Sequence, residues 1–162
     1  MKLRGVVSRG NENRNDFLRR KKVQEDRMIK DANLGKELVI TAENKVGILA
    51  NISKVLADHG INIEGVAGYA AQSEAKIMLV SDDTLRAKEA LQKAGYKNIK
   101  ENEVIVVDLA NKPGALKAIT AKMADAKIDI RYTYGTACPS GCPARLILAT
   151  NNNEKAIVLF KA

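Results

Sequence analysis

The 162-residue chain has few of the residues that support catalysis, metal binding or disulfide cross-linking. It contains one histidine, two cysteines and no tryptophan. Histidine, cysteine and clustered acids supply most general bases, nucleophiles and metal ligands. The lone His59 lies at a predicted helix end, and the acidic residues fall singly at positions expected to be exposed. The composition therefore argues against an enzyme and gives no indication of a cofactor or a metal.

Long apolar runs are also absent. No segment approaches the ~20 apolar residues needed to span a membrane, and the N-terminus lacks the apolar stretch of a signal peptide. Hydrophobic residues nevertheless make up 46% of the chain, which suffices for a compact core. We expect a cytoplasmic protein without a membrane partner.

Positive charge is concentrated at the N-terminus. The formal net charge is +8, and residues 1–36 hold 11 Lys/Arg against 5 Asp/Glu. Residues 1–35 are predicted to be a basic, disordered arm. Alternatively, residues 1–27 precede a true start at Met28, since codons for Gln24 to Arg27 can encode a ribosome-binding sequence. An RNA-associated arm is a third interpretation, but the near-neutral remainder gives no electrostatic argument for nucleic acid.

The most informative feature that is present is an internal repeat. Asn44-Lys45-Val46-Gly47 and Asn111-Lys112-Pro113-Gly114 each open a helical pattern. When these turns are aligned, further matches follow without a gap at Ile52/Ile119, Leu56/Met123, Ala57/Ala124, Asp58/Asp125, Ile61/Ile128, Ile63/Ile130 and Gly68/Gly135. A duplicated module predicts two copies of one supersecondary unit.

Each copy is predicted to follow the order βαββαβ. Helical spacing of apolar residues over 47–58 and 114–126 is followed by short strands and a second helix. Hairpin-length connections between the second and third strands indicate an antiparallel sheet. The predicted fold class is α+β, with two ferredoxin-like units whose helices cover one face. The predicted units are residues 36–101 and 102–162.

The Asn-x-x-Gly turns and the Ile-Asn-Ile and Ile-Asp-Ile strand entries resemble the ACT domain family, whose members are regulatory modules that bind amino acids and other small effectors. The resemblance covers about Lys36 to Ala162, and the chain looks like the small stand-alone proteins made of two ACT domains. It implies a ligand site formed by the turn and by the start of the second strand. The corresponding residues are Asn44, Gly47, Ile48, Leu49 and Asn62 in the first copy, and Asn111, Gly114, Ala115 and Asp129 in the second.

The physical chemistry of such a turn suits a free amino acid. Backbone N–H groups at a helix N-terminus favour a carboxylate, and Gly47 and Gly114 allow close approach. Asp129 departs from the family's Asn, so the two sites need not be equivalent. Asn before a helix is also an ordinary cap. The alternative is therefore a structural interaction module without a ligand, since fold alone does not determine function.

Two further features lie in the second copy. Cys138 and Cys142 form a CxxxC motif in a turn that contains Pro and Gly. Two interpretations remain: a redox-sensitive pair, or two incidental cysteines in a longer hairpin turn. The copy also ends with its last helix, so it lacks a fourth strand. An apolar edge at Val104–Leu109 is then expected to recruit a partner strand, either from the other copy or, preferably, from a second chain in a homodimer. The short connection after Lys100 further allows residues 96–109 to form one long strand.

Overall fold

The computed structural model describes residues 27–137 and 141–161, together with Asp16, Arg19, Arg20 and Val23. Within these residues the fold is α+β, with six strands and four helices. The strands are β1 (Ile29–Glu43), β2 (Ile63–Ala71), β3 (Glu74–Ser81), β4 (Ile99–Leu109), β5 (Ile130–Thr136) and β6 (Ala144–Thr150). The helices are α1 (Ile48–Asp58), α2 (Thr84–Lys93), α3 (Ala115–Asp125) and α4 (Asn153–Lys161).

The strands form one antiparallel sheet in the order β2-β3-β1-β4-β6-β5. The long strands β1 and β4 pair from Ile29/Leu109 to Ile40/Ile99. Within this ladder Lys36 lies opposite Glu103, the residue that corresponds to it in the aligned repeat. An approximate two-fold axis therefore passes through the centre of the sheet and relates its two halves.

The edge that was expected to be open is closed within the chain. Residues 29–36, the first part of β1, pair with residues 103–109 of β4. Val104 is consequently fully buried. The expectation that this edge needs an outside partner is wrong, because a strand located before the first repeat occupies the place of the missing fourth strand.

The predicted start of the fold at Lys36 is likewise wrong. The strand begins at Ile29, and the Ala110 N–H donates to the Met28 carbonyl at 2.7 Å. The segment Asn33-Leu34-Gly35 has little apolar periodicity, so its contribution to the sheet depends on pairing with β4 rather than on its own pattern. The long strand expected between the halves is confirmed as β4, which begins at Ile99.

All four helices pack on one face of the sheet. Alternate residues of β1, namely Ala32, Leu38 and Ile40, face them. One helical core contains Ile119, Met123 and Phe160, and the other contains Ile52, Leu56 and Leu91. Asp83 caps α2, since its Oδ1 accepts a hydrogen bond from the Arg86 N–H at 3.0 Å. None of the helices among the described residues is long and apolar enough to cross a membrane.

The helix-free face carries a third core. Val80, Val104, Ile147 and Ala149 are buried there, with Val106, Tyr132 and Tyr134 packed against them. The sheet curls over this core, so that the outermost strands β2 and β5 approach each other. At Gly65 in β2 a Cβ atom would lie 2.7 Å from Ile147 Cδ1 in β6 and 3.7 Å from Tyr134 Cε2 in β5.

Candidate functional site

The two predicted turns adopt the same backbone conformation. Gly47 and Gly114 precede α1 and α3 with φ values of 90° and 91°, a left-handed conformation that other residues rarely adopt. The Asn44 N–H donates to the Ser73 carbonyl at 2.7 Å, which ties the first turn to the β2–β3 hairpin. The Asn44 side-chain amide also donates to the Gln72 carbonyl at 3.5 Å, so this residue contacts the hairpin through its side chain as well.

The structure does not bring the turn asparagines together with the predicted strand-entry residues. Asn44 follows β1 at one end of the first half of the sheet, and Asn62 precedes β2 at the other end. The nine residues of β2 separate them by roughly 27 Å at about 3.4 Å per residue. Asn111 and Asp129 are placed in the same way around β5 and β6.

The strand-entry residues instead hold strand ends together. The Asn62 N–H donates to Asp82 Oδ1 at 3.0 Å, and the Asp82 N–H returns a bond to the Asn62 carbonyl. In the second half, the Asp129 N–H donates to Asn151 Oδ1 at 3.1 Å. The first pair is therefore Asn62 with Asp82, and the second is Asp129 with Asn151. The amide and the carboxylate side chains are exchanged between the two pairs, so the Asp at position 129 is matched by an Asn at position 151.

Each turn borders a cavity of its own. The first cavity has a volume of about 440 Å³ and includes Ile48 among its lining residues. The second has about 290 Å³ and includes Asn111 and Ala115. Leu49 is half exposed on the outer surface of α1 and lines neither cavity. The second cavity also reaches Gly135, Thr136 and Arg145.

A cleft lies where the two outermost strands of the sheet meet. It has a volume of about 370 Å³ and is lined by residues 63–66 of β2, residues 134–136 of β5, and Arg145 and Ile147 of β6. Because β2 and β5 each pair with one strand only, alternate backbone groups of both face away from the sheet at this cleft. No sequence pattern indicated the cleft, since it depends on the curl of the whole sheet.

A glycine fixes the shape of the cleft wall. A Cβ atom at Gly135 would lie 2.5 Å from the Arg145 carbonyl oxygen, so a side chain cannot be accommodated without movement of the backbone. At the equivalent Gly68 the nearest atoms lie 3.8 Å away. The two glycines that align in the repeat therefore have different roles.

Charged side chains cross the sheet beside the cleft. Asp31, Asp108 and Arg145 lie directly opposite one another on β1, β4 and β6. Arg145 donates to both carboxylate oxygens of Asp108 at 2.9 and 3.0 Å, and to Glu64 on β2 at 3.3 Å. Hydrogen bonding to Asp108 is the main factor that raises the pKa of Arg145. This guanidinium therefore links the two halves of the sheet across the cleft.

The helix-free core contains an acid that was expected on the surface. Glu37 is fully buried, contrary to the expectation of solvated acidic residues. Its two carboxylate oxygens accept hydrogen bonds from the Tyr132 and Tyr134 hydroxyls, the latter at 2.7 Å. Burial, followed by the bond to Glu37, raises the pKa of Tyr132 to about 12 and raises that of Tyr134 further. Alternating tyrosines on β5 were the available signal for this site.

The other candidate residues do not form a reactive centre within the described part of the chain. His59 ends α1, and its Nδ1 lies 2.8 Å from the Val55 carbonyl oxygen. Cys142 is disulfide-bonded, and Cys138 lies outside the described residues. Among the residues described, no group of three or more His, Cys, Asp or Glu side chains could hold a metal ion.

Comparison with known proteins identifies an ACT domain at residues 36–94. The chain is similar to protein BT0572 from Bacteroides thetaiotaomicron, with 25% identity and a TM-score of 0.73 over 80% of this chain and 88% of that one. It also resembles the regulatory subunits of aspartate kinase from Thermus thermophilus and Thermus flavus. Both are 15% identical, cover 83% of this chain and 97% of theirs, and have TM-scores of 0.60 and 0.54.

The aspartate kinase subunits are related in fold alone at this level of identity. No curated protein sequence matches the chain. The ACT domain, together with the ferredoxin-like α+β sheet, supports a regulatory role that depends on binding a small molecule.

Proposed function

We propose that the chain is a tandem ACT regulatory protein that binds a free amino acid and signals through its assembly, as a homodimer, or through a partner protein. It has no catalytic role of its own in this proposal, and it acts in the cytoplasm without nucleic acid. Residues 36–94 supply the matched ACT domain. The second half repeats its element order around the two-fold axis through Lys36 and Glu103.

The observation that carries the proposal is the cleft between β2 and β5. Its volume of about 370 Å³ lies at the lower end of the ~300–1,000 Å³ typical of small-molecule sites, which fits a ligand the size of an amino acid. Unpaired backbone groups of two strands, the Glu64 carboxylate and the Arg145 guanidinium surround it. These groups can bind both the carboxylate and the ammonium of an amino acid.

Binding at this cleft would have a regulatory consequence. The cleft is bounded by β2 from the first half and by β5 and β6 from the second, so a ligand that contacts all three strands stabilises the curled sheet. A ligand can shift an equilibrium only by its difference in affinity for the two states. Only a closed cleft, in which β2 lies near β5 and β6, lets one ligand contact all three strands, so the ligand should favour the closed state over an open one.

A thermal-shift screen across the common amino acids at millimolar concentration tests this function. A ligand that binds the native state raises the melting temperature by mass action. At a ligand concentration of 100 times Kd, the gain in the free energy of unfolding is about 2.7 kcal/mol. At least one amino acid should produce a saturable increase. If all of them leave the melting temperature unchanged, amino-acid binding is refuted and the interaction module without a ligand is the better account.

Single-residue variants identify the site at which the amino acid binds. Glu64→Gln should weaken it by roughly 1–3 kcal/mol, the cost of a lost charged partner. Glu74→Gln, at the far end of the β2–β3 hairpin, is the matched control. If Asn44→Ala or Asn111→Ala weakens binding instead, the ligand occupies a turn cavity, as the family resemblance implied.

A further inference from the structure

The two strands that bound the cleft differ in their side chains. In the repeat alignment, the half-buried Tyr132 and Tyr134 of β5 correspond to Gly65 and Ala67 of β2. On β5 the two rings pack against the helix-free core. The strand β2 therefore presents bare backbone and a methyl group where β5 presents two phenol rings.

The acceptor of the tyrosine hydroxyls is also absent from the first half. Glu37, which accepts from both hydroxyls, corresponds to Val104 in the repeat alignment. Val104 is fully buried, and its side chain has no polar atom. The first half therefore lacks the rings, their hydroxyls and the acceptor together, so a group that lies beside Gly65 in place of a ring needs no polar atom.

Neighbouring side chains approach Gly65 from the second half. Ile147 Cδ1 lies 2.7 Å from the position of a Cβ atom at Gly65, and Tyr134 Cε2 lies 3.7 Å from it. The same three residues line the cleft of about 370 Å³. The cleft therefore lies at the strand on which the repeat lacks its aromatic side chains.

Apolar side chains make up much of the cleft lining. Besides Tyr134 and the buried Ile147, the lining includes Ile63 and Val66. Val66 is 46% exposed on the edge strand β2, and Ile63 and Tyr134 are half-buried. These side chains leave apolar surface that a ligand can cover, and small-molecule sites are lined mainly by such residues.

The charged groups lie toward one end of the cleft. Arg145 pairs with Thr136, whereas Ile147 pairs with Tyr134 two residues further along β6, roughly 7 Å away on the same face. One oxygen of Glu64 accepts from Arg145, and the described residues supply no partner for the other oxygen. A small zwitterion held by this charged pair therefore places its side chain near Ile147 and Tyr134.

We propose that the cleft selects an amino acid with an aliphatic side chain. The side chain packs against Val66, Tyr134 and Ile147, while Glu64 and Arg145 bind the ammonium and the carboxylate. An amide or carboxylate side chain would lose water there without gaining a side-chain partner, because the Tyr134 hydroxyl already donates to a buried carboxylate. The choice of an amino acid rests on the proposed function, whereas the apolar subsite does not.

Calorimetric titration of the full chain with alanine, valine, leucine and asparagine tests the selectivity. Affinity should rise from alanine to valine to leucine, by about fourfold for each additional buried methylene. Asparagine, which has nearly the shape of leucine, should bind roughly 5- to 150-fold more weakly than leucine. Tighter binding of asparagine or aspartate than of leucine would overturn the aliphatic selectivity and leave amino-acid binding intact.

A substitution of similar shape tests the contact with Val66. Val66→Thr keeps the β-branched side chain and replaces one methyl group by a hydroxyl, so it should weaken leucine binding by about fourfold and change asparagine binding little. Val46→Thr is the matched control, since Val46 is fully exposed and lies outside the cleft lining. Unchanged leucine affinity for Val66→Thr would overturn the packing of the ligand side chain against Val66.

A probe without amino or carboxyl groups tests the apolar subsite by itself. Isoamyl alcohol carries the branched end of the leucine side chain. In the full chain with ¹³C-labelled methyl groups, the methyl resonances of Ile63, Val66 and Ile147 should shift saturably with this alcohol. Ethylene glycol should shift none of them, and the methyl resonances of Val46 should not respond to either compound.

The outcomes separate this inference from the proposed function. Tighter binding of leucine than of asparagine, together with shifts from isoamyl alcohol, supports both. If an amino acid binds but the alcohol shifts none of the three residues, the apolar subsite is wrong and the proposed function remains. If the alcohol shifts them while no amino acid binds, the proposed function fails and the apolar subsite remains. If neither binds, both are wrong.

Discussion

The buried carboxylate of Glu37 should stabilise the curled sheet, and replacing it by an amide tests this directly. Both oxygens of Glu37 accept from tyrosine hydroxyls on β5, an outermost strand that does not pair with β1. Glu37→Gln preserves the shape of the side chain and removes the charge. One tyrosine hydroxyl would then donate to the neutral amide oxygen, and the other would have to accept from the amide nitrogen instead of donating.

The magnitude follows from the two bonds. A hydrogen bond to a charged group contributes about 1.5–3 kcal/mol, and one between neutral groups about 0.5–1.5 kcal/mol, so the change weakens each by roughly 1 kcal/mol. Relief from burying a charge offsets part of this loss. We expect Glu37→Gln to lower the free energy of unfolding by about 1–2 kcal/mol, which corresponds to a decrease of roughly 2–8 °C in melting temperature.

Urea unfolding followed by circular dichroism measures the effect, and a double-mutant cycle with Tyr134→Phe assigns it. The coupling energy between positions 37 and 134 should exceed about 0.5 kcal/mol, because the two groups share one bond. The control is Glu43→Gln on the same strand, whose exposed carboxylate should contribute little. A neutral Glu37→Gln, or no coupling to Tyr134, would refute the assignment of this carboxylate as a stabilising acceptor.

Three further predictions follow from single contacts. The pKa values of Tyr132 and Tyr134 are raised in the folded state, so the two hydroxyls stabilise the fold below pH 10, and this stabilisation is lost as pH rises toward 12. Replacing both tyrosines by Phe should reduce the decrease in the free energy of unfolding that denaturant titration measures between pH 10 and pH 12. Gly135→Ala should destabilise the fold by about 1–3 kcal/mol through contact with the Arg145 carbonyl, whereas Gly68→Ala at the equivalent position should change stability by less than about 1 kcal/mol in the same assay. Deleting residues 1–35 should abolish cooperative thermal unfolding by removing part of β1, whereas deleting residues 1–27 should preserve it. Equal stability of both truncations would contradict the role of residues 29–36 as the strand that pairs with residues 103–109 of β4.

The repeat was accessible from sequence because it is a local pattern. The helices over 48–58 and 115–125 follow from apolar spacing and from the glycines that begin them, and the ACT resemblance followed from the same residues. The place of β1 was not accessible. Residues 29–35 carry no strong strand pattern, and their role as the fourth strand of the second half depends on pairing with β4, which follows the whole first repeat in the chain.

The sites show the same division between local and distant information. The tight glycine turns before α1 and α3 were predicted, since such an entry into a helix is encoded within a few residues, and the structure adds that both glycines are left-handed. The cleft and the buried Glu37 were not, because each combines strands from both halves of a curled sheet. The family resemblance placed Asn44 and Asn62 in one pocket, whereas the length of β2 keeps them apart.

Calorimetric titration of the full chain with the common amino acids, repeated with Glu64→Gln and Asn44→Ala, tests the central claim most directly. We expect saturable heat with at least one amino acid, a roughly 5- to 150-fold loss of affinity for Glu64→Gln, and unchanged affinity for Asn44→Ala. No heat with any amino acid, or full affinity for Glu64→Gln, would contradict the assignment of the cleft between β2 and β5 as an amino-acid site.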